Sequence, residues 1–584
     1  MNGTSEIMKK NDFIIVAILV ALMFGWMKFY PALEKKYFPR PEQPAAGATS
    51  MSPEREEKPS PEVAAPAPDI GATVMSPAPE VKVVEVPETP EEWLTLANEA
   101  IELTVSSYGG AVVSAVLENY PAENREDSGP VILDFEKAPA LRYAGLPAQA
   151  LAGTLRSIGG DSLVYTAPLG DGKIFERILR LEGEYLLTVE DSFINETDVP
   201  WALPELRLPT GPMGNPAGTT AMRGLSTLGV DTFAPADGAH HWGRQLTKIF
   251  RNVNGTNMLT STPEMIAPRP VDWMAVKNKF FVQILTPENA AEAFDISIRR
   301  EGEGKKAVPV EVSAALQFDD ELIAENETFT RATRVYIGPK DFAFLKTQGM
   351  EQTEVMEFKS TGFWKFMNPV MYPIKKALLW GLIHLAPFGS YGIAILLLTV
   401  IIRVIFWPLT HKGTESMQRM QALQPQIKEL KEKYKDNPQR MQQETMALYK
   451  ENKVNPMGGC LPMFVQIPVF IALFGVLRSA IELRFSKFLW IRDLSEPENL
   501  FAGMIPVVGS LNILPILMAA TMMWQQKLTP SGAGDPQQQK MMAIMMPCMM
   551  LFFFYGMPSG LVLYWTTSQV LMIAQMLIKK YRTA

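Results

Sequence analysis

The chain has 584 residues, 55 Lys and Arg against 62 Asp and Glu, a net charge of −7 and 47% hydrophobic residues. That acidic balance offers no overall basic surface, so no nucleic-acid partner is expected, and the length allows several domains. The only cysteines, Cys460 and Cys548, lie in apolar segments, so no disulfide can form within residues 31–359.

The first apolar run, FIIVAILVALMFGWMKFY at 13–30, follows Lys9 and Lys10. The stretch after it, KFYPALEKKYFPRP, lacks a small-residue cleavage pattern, so residues 1–30 are predicted to be an uncleaved transmembrane anchor. Residues 31–92 form a Pro-rich linker, with twelve prolines between positions 39 and 90, a composition that cannot bury a core. From 93 to 345 the texture changes to short alternating runs broken by Gly, Asn, Asp and Pro, such as NEAIELTVSSYGGAVVSAVLENY and FERILRLEGEYLLTVEDSFINETD. Many short strands at close spacing predict a β-sandwich domain, large enough to hold its own core.

Residues 354–386 mix aromatic residues with Lys365, Lys375 and Lys376 and are interrupted by Pro369 and Pro373. They suit an amphipathic helix lying in a membrane interface rather than crossing it. Residues 387–584 hold five further apolar segments, at about 389–409, 460–481, 504–525, 541–557 and 559–578, each near the length that crosses a bilayer. The last two are joined by Met557-Pro558-Ser559-Gly560 alone, which predicts a tight antiparallel pair. Between the first two, residues 411–455 read as a helical hairpin. Met420, Leu423, Ile427, Leu430 and Tyr434 follow a 3-4 spacing, KDNP at 435–438 breaks it, and QRMQQETMALYKENK continues. This hairpin carries nine Lys or Arg, against three in 482–503 and none in the MPSG turn. The positive-inside rule then puts both termini and the hairpin in the cytoplasm and the β-domain outside. The expected fold is a multi-span α-helical membrane protein with six transmembrane helices, five of them forming a core, and a large all-β domain.

No GxxxxGK[ST] or GxSxG motif is present, and the four histidines are His240, His241, His384 and His411. The adjacent pair in DGAHHWG is read as loop rather than metal ligand. No cofactor or metal is expected, and the chain is read as a non-enzyme. The unusual group is Arg403 in TVIIRVIFWPLT, a guanidinium inside a membrane helix, where a charge costs roughly 2.5–3.5 kcal/mol. None of the six spans has an Asp or Glu in its interior. Either Arg403 snorkels to the cytoplasmic face, or its counter-charge arrives from another molecule. Thr399 shares its helix face at i, i+4. Gln466 lies between Pro462 and Pro468, while Tyr564, Ser568 and Gln575 align on one stripe of the sixth span. Polar groups at similar depth on three spans suggest a shared wet cavity open inward. Two rival readings are a polytopic transporter, which would want intramembrane carboxylates or inverted repeats, and an envelope carbohydrate-modifying enzyme using a cleft of the β-domain.

IIRVIFWPLT, then LQPQIKELKEKYKDNPQRMQQETMALYKENKVNPMGGCLPMFVQIPVF, DPQQQKMMAIMMP and MPSGLVLYW together resemble the YidC/Oxa/Alb family of membrane protein insertases over about residues 355–580. The anchor and β-domain resemble its Gram-negative form, which implies a periplasmic β-supersandwich and an inner-membrane location. The resemblance implies a membrane insertase and chaperone, acting alone or with the Sec translocon. It implies a client-binding polar groove of Arg403, Thr399, Gln466, Ser568 and Gln575, and client-facing aromatics at Tyr564 and Trp565. The expected partners are nascent membrane-protein clients, the lipid bilayer and the Sec translocon, with the protein itself a monomer. The tail ends at IKKYRTA, shorter than the basic tails of some relatives, so ribosome contact through the tail is not expected.

Overall fold

The computed structural model describes residues 90–584 apart from 217–218, 220–226, 243–257, 261–269, 302–307, 360–365, 436, 453, 455–460, 506–508, 529–535 and 584. The anchor expected at 1–30, nearly all of the linker at 31–92, Lys365 and Cys460 lie outside these residues.

Alternating sequence does become strand. In Leu186–Asn195 the side chains of Leu187, Val189, Asp191, Phe193 and Asn195 are buried while the intervening residues face outward. This strand belongs to a nine-stranded antiparallel sheet. Its order is Gly238–His241, Gly229–Ala234, Trp273–Lys277, Phe281–Pro287, Thr328–Pro339, Leu186–Asn195, Lys173–Leu181, Ser162–Gly170 and Thr154–Ile158. Trp273–Lys277 and Phe281–Pro287 are buried at every position, so both of their faces are covered. A five-stranded sheet that includes Val308–Phe318 packs on the first of them, and a four-stranded sheet, Trp93–Ala97 to Pro130–Asp134, completes a β-rich domain.

Two core-facing positions carry opposite charges. Arg177 and Asp191 stand directly across neighbouring strands, both side chains fully buried. Their contact is bidentate, Nε to Oδ1 at 2.6 Å and Nη2 to Oδ2 at 3.0 Å, and Arg177 Nη1 also donates to the carbonyls of Leu141 and Gly110. The guanidinium thereby ties two loops to the sheet without leaving a buried donor idle.

A second charged cluster ties the sheet to the segment 352–358. Lys277 Nζ contacts Asp231 at 2.5 Å and Glu357 at 2.9 Å and donates to the Val355 carbonyl at 2.9 Å. His241 Nδ1 lies 2.9 Å from Asp231. The segment is therefore held on one side by the sheet. On the other, Lys375 Nζ donates to the Phe358 carbonyl at 2.8 Å.

The helical region begins beside this segment. A short helix α1 (Phe342–Thr347), N-capped by Asp341, precedes it. The run 354–386 is not one helix. It is a 3-10 turn at Gln352–Met356, then α2 (Asn368–Leu385), with Pro369 tolerated in its first turn and Pro373 inside it. Next come α3 (Tyr391–Ala422), α4 (Gln424–Lys433), α5 (Pro438–Glu451), α6 (Leu461–Ser479), α7 (Ile513–Leu528), α8 (Pro536–Phe554) and α9 (Ser559–Thr583). The run 389–409 belongs to a longer helix: α3 continues to Ala422, and the helical hairpin begins as its extension. Within that hairpin Leu423 and Ile427 pack with Tyr449 and Val454 in a small separate core. The run 504–525 is divided, because Leu500–Ile505 pairs with Gly509–Leu511 as a hairpin and α7 starts only at Ile513. Gly503 and Gly509, both poor helix formers, lie in the two strands.

Among the described residues, Tyr391–Pro408 and Ser559–Ile578 are long and apolar enough to cross a membrane, with mean hydropathy 2.1 and 1.5. Gln466–Ser479 and Ile544–Phe554 are shorter apolar stretches. Around these helices large apolar side chains point outward, among them Val404, Ile405, Trp407, Phe552 and Phe553. A lipid solvent makes that arrangement favourable.

Two measurements test the charges of the β-domain. Asp191→Ala strands a buried guanidinium, so it should destabilise the domain by roughly 3–5 kcal/mol in a denaturant titration, while Arg177→Met with Asp191→Leu should cost much less. A midpoint shift no larger than that of a surface substitution would show the pair to be idle. His241 supplies the second. Burial works against its charged form, but Asp231 outweighs burial and lifts its pKa above that of a free histidine. The folded value is above the unfolded one, so the stabilisation is complete below about pH 6.5 and is lost as pH rises through the folded value. Between about pH 6 and about pH 8 the full chain should therefore lose more thermal stability than its His241→Gln variant. Equal losses would exclude the coupling.

Candidate functional site

Three helices bring their polar residues to one place. Helix α3 supplies Thr399 and Arg403, α6 supplies Gln466, and α9 supplies Tyr564 and Ser568. The helices pack on one another: α3 touches α6 and α9, and α6 touches α9. Regular i, i+4 spacing therefore becomes a polar stripe facing two neighbours.

Arg403 is half-buried, and its Nη2 donates to the main-chain carbonyl of Ser568 at 2.6 Å. Its Nε is buried without a hydrogen-bond acceptor, and among the described residues no carboxylate lies within ion-pair distance. A carbonyl oxygen supplies partial charge but not the counter-ion that a guanidinium in a low-dielectric site would ordinarily have. Next to it, Gln466 Nε2 donates to the Tyr564 hydroxyl at 2.8 Å and to Ser568 Oγ at 3.3 Å. Arg403, Gln466, Tyr564 and Ser568 thus form one connected set across three helices.

The remaining sequence candidates sit differently. Thr399 is buried, and its hydroxyl donates to the Ile395 carbonyl of its own helix at 2.6 Å, so it lines the set without joining its bonds. Gln575 is half-buried two turns further along α9 and is not one of the groups bonded to the set. Tyr564, expected on a client-facing surface, is only 1% exposed because its hydroxyl turns inward to Gln466. Trp565 packs into an aromatic cluster, 5.0 Å from Phe470 and 5.5 Å from Phe554 between ring centres.

Sequence reasoning passed over Gln569. This buried amide donates to the Met518 carbonyl and to Thr521 Oγ1 of α7 and accepts from Trp565 Nε1 at 2.8 Å, the amide orientation that satisfies both ends. It pins the aromatic cluster to a fourth helix. The available signal was its i, i+4 spacing from Trp565, but it lies off the Tyr564–Ser568 stripe.

Chemically the set offers one fixed cation, two hydroxyls and an amide. Among the described residues no group of three or more His, Cys, Asp or Glu could hold a metal ion. The arrangement is suited to holding a polar or acidic chain segment by hydrogen bonds and charge.

Comparison with known proteins places both halves of the chain. Residues 383–584 match the family described as 60Kd inner membrane protein, and residues 94–360 match the family described as YidC periplasmic domain. The chain is 33% identical over 508 residues to the membrane protein insertase YidC of Syntrophus aciditrophicus, covering 83% of this chain and 84% of that one. It is 31% identical over 484 residues to the membrane protein insertase YidC of Pelobacter propionicus, covering 80% and 83%. Among solved structures, an active YidC insertase with its first transmembrane domain resolved aligns over 83% of this chain and 92% of that one, at 19% identity and a TM-score of 0.34.

The bonds within the set are individually weak, since hydrogen bonds between membrane helices average about 0.6 kcal/mol in double-mutant cycles. Combining Gln466→Leu with Tyr564→Phe should accordingly reveal a coupling of roughly that size in thermal unfolding of the purified chain. Strict additivity would mean that the two side chains do not interact in the membrane.

Proposed function

The chain belongs to the YidC family of membrane protein insertases, and on that premise we propose that its polar set is the groove that receives short hydrophilic segments of client proteins. The observation that carries this reading is Arg403, a half-buried cation that, among the described residues, has a carbonyl for company and no carboxylate. An acidic residue in a client segment entering from the cytoplasm supplies the missing charge. At ~4 Å and an effective dielectric of about 20 the pair contributes roughly 4 kcal/mol before desolvation is counted. That gain carries a short polar segment to mid-membrane without an open channel.

The client's own apolar helix then passes along α6 and α8 into lipid, where burial of its surface at roughly 25 cal/mol per Å² supplies most of the driving energy. The membrane potential assists acidic segments by about 2.3 kcal/mol per charge per 100 mV. In this scheme the described helices and the N-terminal anchor make six spans in the inner membrane, with both termini and the α4–α5 hairpin in the cytoplasm and the β-domain in the periplasm. The excess of Lys and Arg in the hairpin supports that orientation. The hairpin captures clients first, and Gln575, further along α9 on the cytoplasmic side, lines their way in. The Sec translocon is a further partner that family membership suggests.

The test is insertion of single- and double-span clients into vesicles carrying Arg403→Ala or Arg403→Lys, with and without acidic residues in the translocated segment. Alanine should reduce insertion of acidic clients at least about tenfold, the equivalent of about 1.4 kcal/mol, and lysine should restore most of it. Normal insertion of every client by the alanine variant would make Arg403 a snorkelling residue and remove the electrostatic step.

A further inference from the structure

The β-domain touches the helical region at a second place, two residues along the chain from Lys277. Between Trp273–Lys277 and Phe281–Pro287 the chain turns at Asn278, whose Oδ1 accepts from the backbone N–H of Phe280 and Phe281 at 2.9 and 2.8 Å. That turn fixes Lys279. Its Nζ reaches the loop between α6 and α7, contacting Glu496 Oε1 at 2.5 Å and donating to the Ser495 carbonyl at 2.8 Å. Both side chains are at least nine-tenths buried. Two further contacts flank them. Arg484 donates to the carbonyls of Pro121 and Ala122 at 2.7 and 3.1 Å and lies over the rings of Phe280 and Phe281. Asn124 Nδ2 donates to the Arg492 carbonyl at 2.7 Å.

The same loop caps the groove helix. The backbone N–H of Ser559 donates to the Glu496 carbonyl and that of Gly560 to the Leu494 carbonyl, each at 2.9 Å, while Ser559 Oγ donates to the Asp493 carbonyl at 2.7 Å. These are the N–H groups that the first turn of a helix leaves without intrahelical acceptors. Gly560 is needed for the fit, because a Cβ there would sit 2.9 Å from the Leu494 carbonyl oxygen. Tyr564 and Ser568 follow on α9 within about 14 Å of this cap at 1.5 Å per residue.

We propose that Lys279 and Glu496 are positioning residues through which the β-domain sets the outer end of α9 and so holds the groove set in register. One residue of the loop does both jobs, since Glu496 takes Lys279 on its side chain and Ser559 on its main chain. Loss of Lys279 frees the loop and loosens the cap, and Arg403 loses the fixed position of the Ser568 carbonyl. This inference rests on the reading of Arg403, Gln466, Tyr564 and Ser568 as the client groove.

The experiment uses the full chain in proteoliposomes and compares Lys279→Met, Lys279→Arg and the charge exchange Lys279→Glu with Glu496→Lys. Hydrogen exchange is followed at residues 559–565, together with insertion of an acidic client. The methionine variant should exchange at least about tenfold faster in that turn, with no change in the α4–α5 hairpin or in Thr328–Pro339, and insertion should fall. The arginine variant and the charge exchange should restore both. Unchanged exchange at 559–565 in the methionine variant overturns the coupling, and faster exchange with undiminished insertion overturns its bearing on the groove. Faster exchange in Thr328–Pro339 as well would show general loosening of the β-domain and also overturn it. Failure of the groove reading itself would show separately, as an Arg403→Ala chain that inserts acidic clients normally while the exchange result stands.

Discussion

A guanidinium among apolar helices, bonded among the described residues to one main-chain carbonyl and to no carboxylate, is the constraint around which the helical region is arranged. Full desolvation of such a charge is far more costly than a single carbonyl can offset, so the site must stay polar. That requirement explains its neighbours. The Ser568 carbonyl accepts from Arg403 within a helix that runs unbroken from Ser559 to Thr583. Gln466 is directed at Tyr564 and Ser568 rather than at its own helix. Next along α9, Trp565 packs against Phe470 of α6 and Phe554 of α8, and Gln569 accepts from its indole N–H. Hydrogen bonds join Arg403, Gln466, Tyr564 and Ser568 to one another, and a separate set joins Gln569 to Trp565 and α7.

The β-domain handles charge in the opposite way. Arg177 is fully buried too, but it is matched by a bidentate Asp191 and two carbonyls, so nothing is left over for a ligand. Lys277 and Lys279 are likewise paired, and both pairs lie where the domain meets segments leading into the helices. The ion pairs of Arg177, Lys277 and Lys279 join parts of the chain, whereas Arg403, among the described residues, bonds a carbonyl across two helices and has no ion pair. On the proposed reading, that difference suits Arg403 to meet an incoming charge rather than to join two parts of the chain.

Much of this is legible in the sequence. Alternation located the β-domain from 93 onward, and the apolar runs located α3, α6, α8 and α9. The spacing of Tyr564 and Ser568 placed them together, and the lack of membrane carboxylates marked Arg403 as unusual. What could not be read depended on packing. Alternation cannot show that the wholly buried Trp273–Lys277 and Phe281–Pro287 are covered on both faces, since a continuous apolar run fits strand or helix equally. The hairpin at 500–511 was hidden because apolar content alone does not separate a span from an extended segment. The inward turn of Tyr564 depends on Gln466, 98 residues away. The bond from Lys279 to Glu496 spans 217 residues, and no local pattern announces it.

The strengths of these interactions also bear on how a groove of this kind can work. A hydrogen bond between membrane helices contributes about 0.6 kcal/mol, close to RT, so Gln466, Tyr564 and Ser568 hold one another only loosely. A polar segment entering the set can exchange its own amides and hydroxyls for those partners at little net cost. The charge acts on another scale and at longer range, favouring segments with an acidic residue before contact is complete. On the proposed reading, weak mutual bonds make the site permissive to sequence, and the charge of Arg403 biases it. A set built from saturated ion pairs, like that of Arg177, would be neither permissive nor biased, because opening it would strand a buried charge.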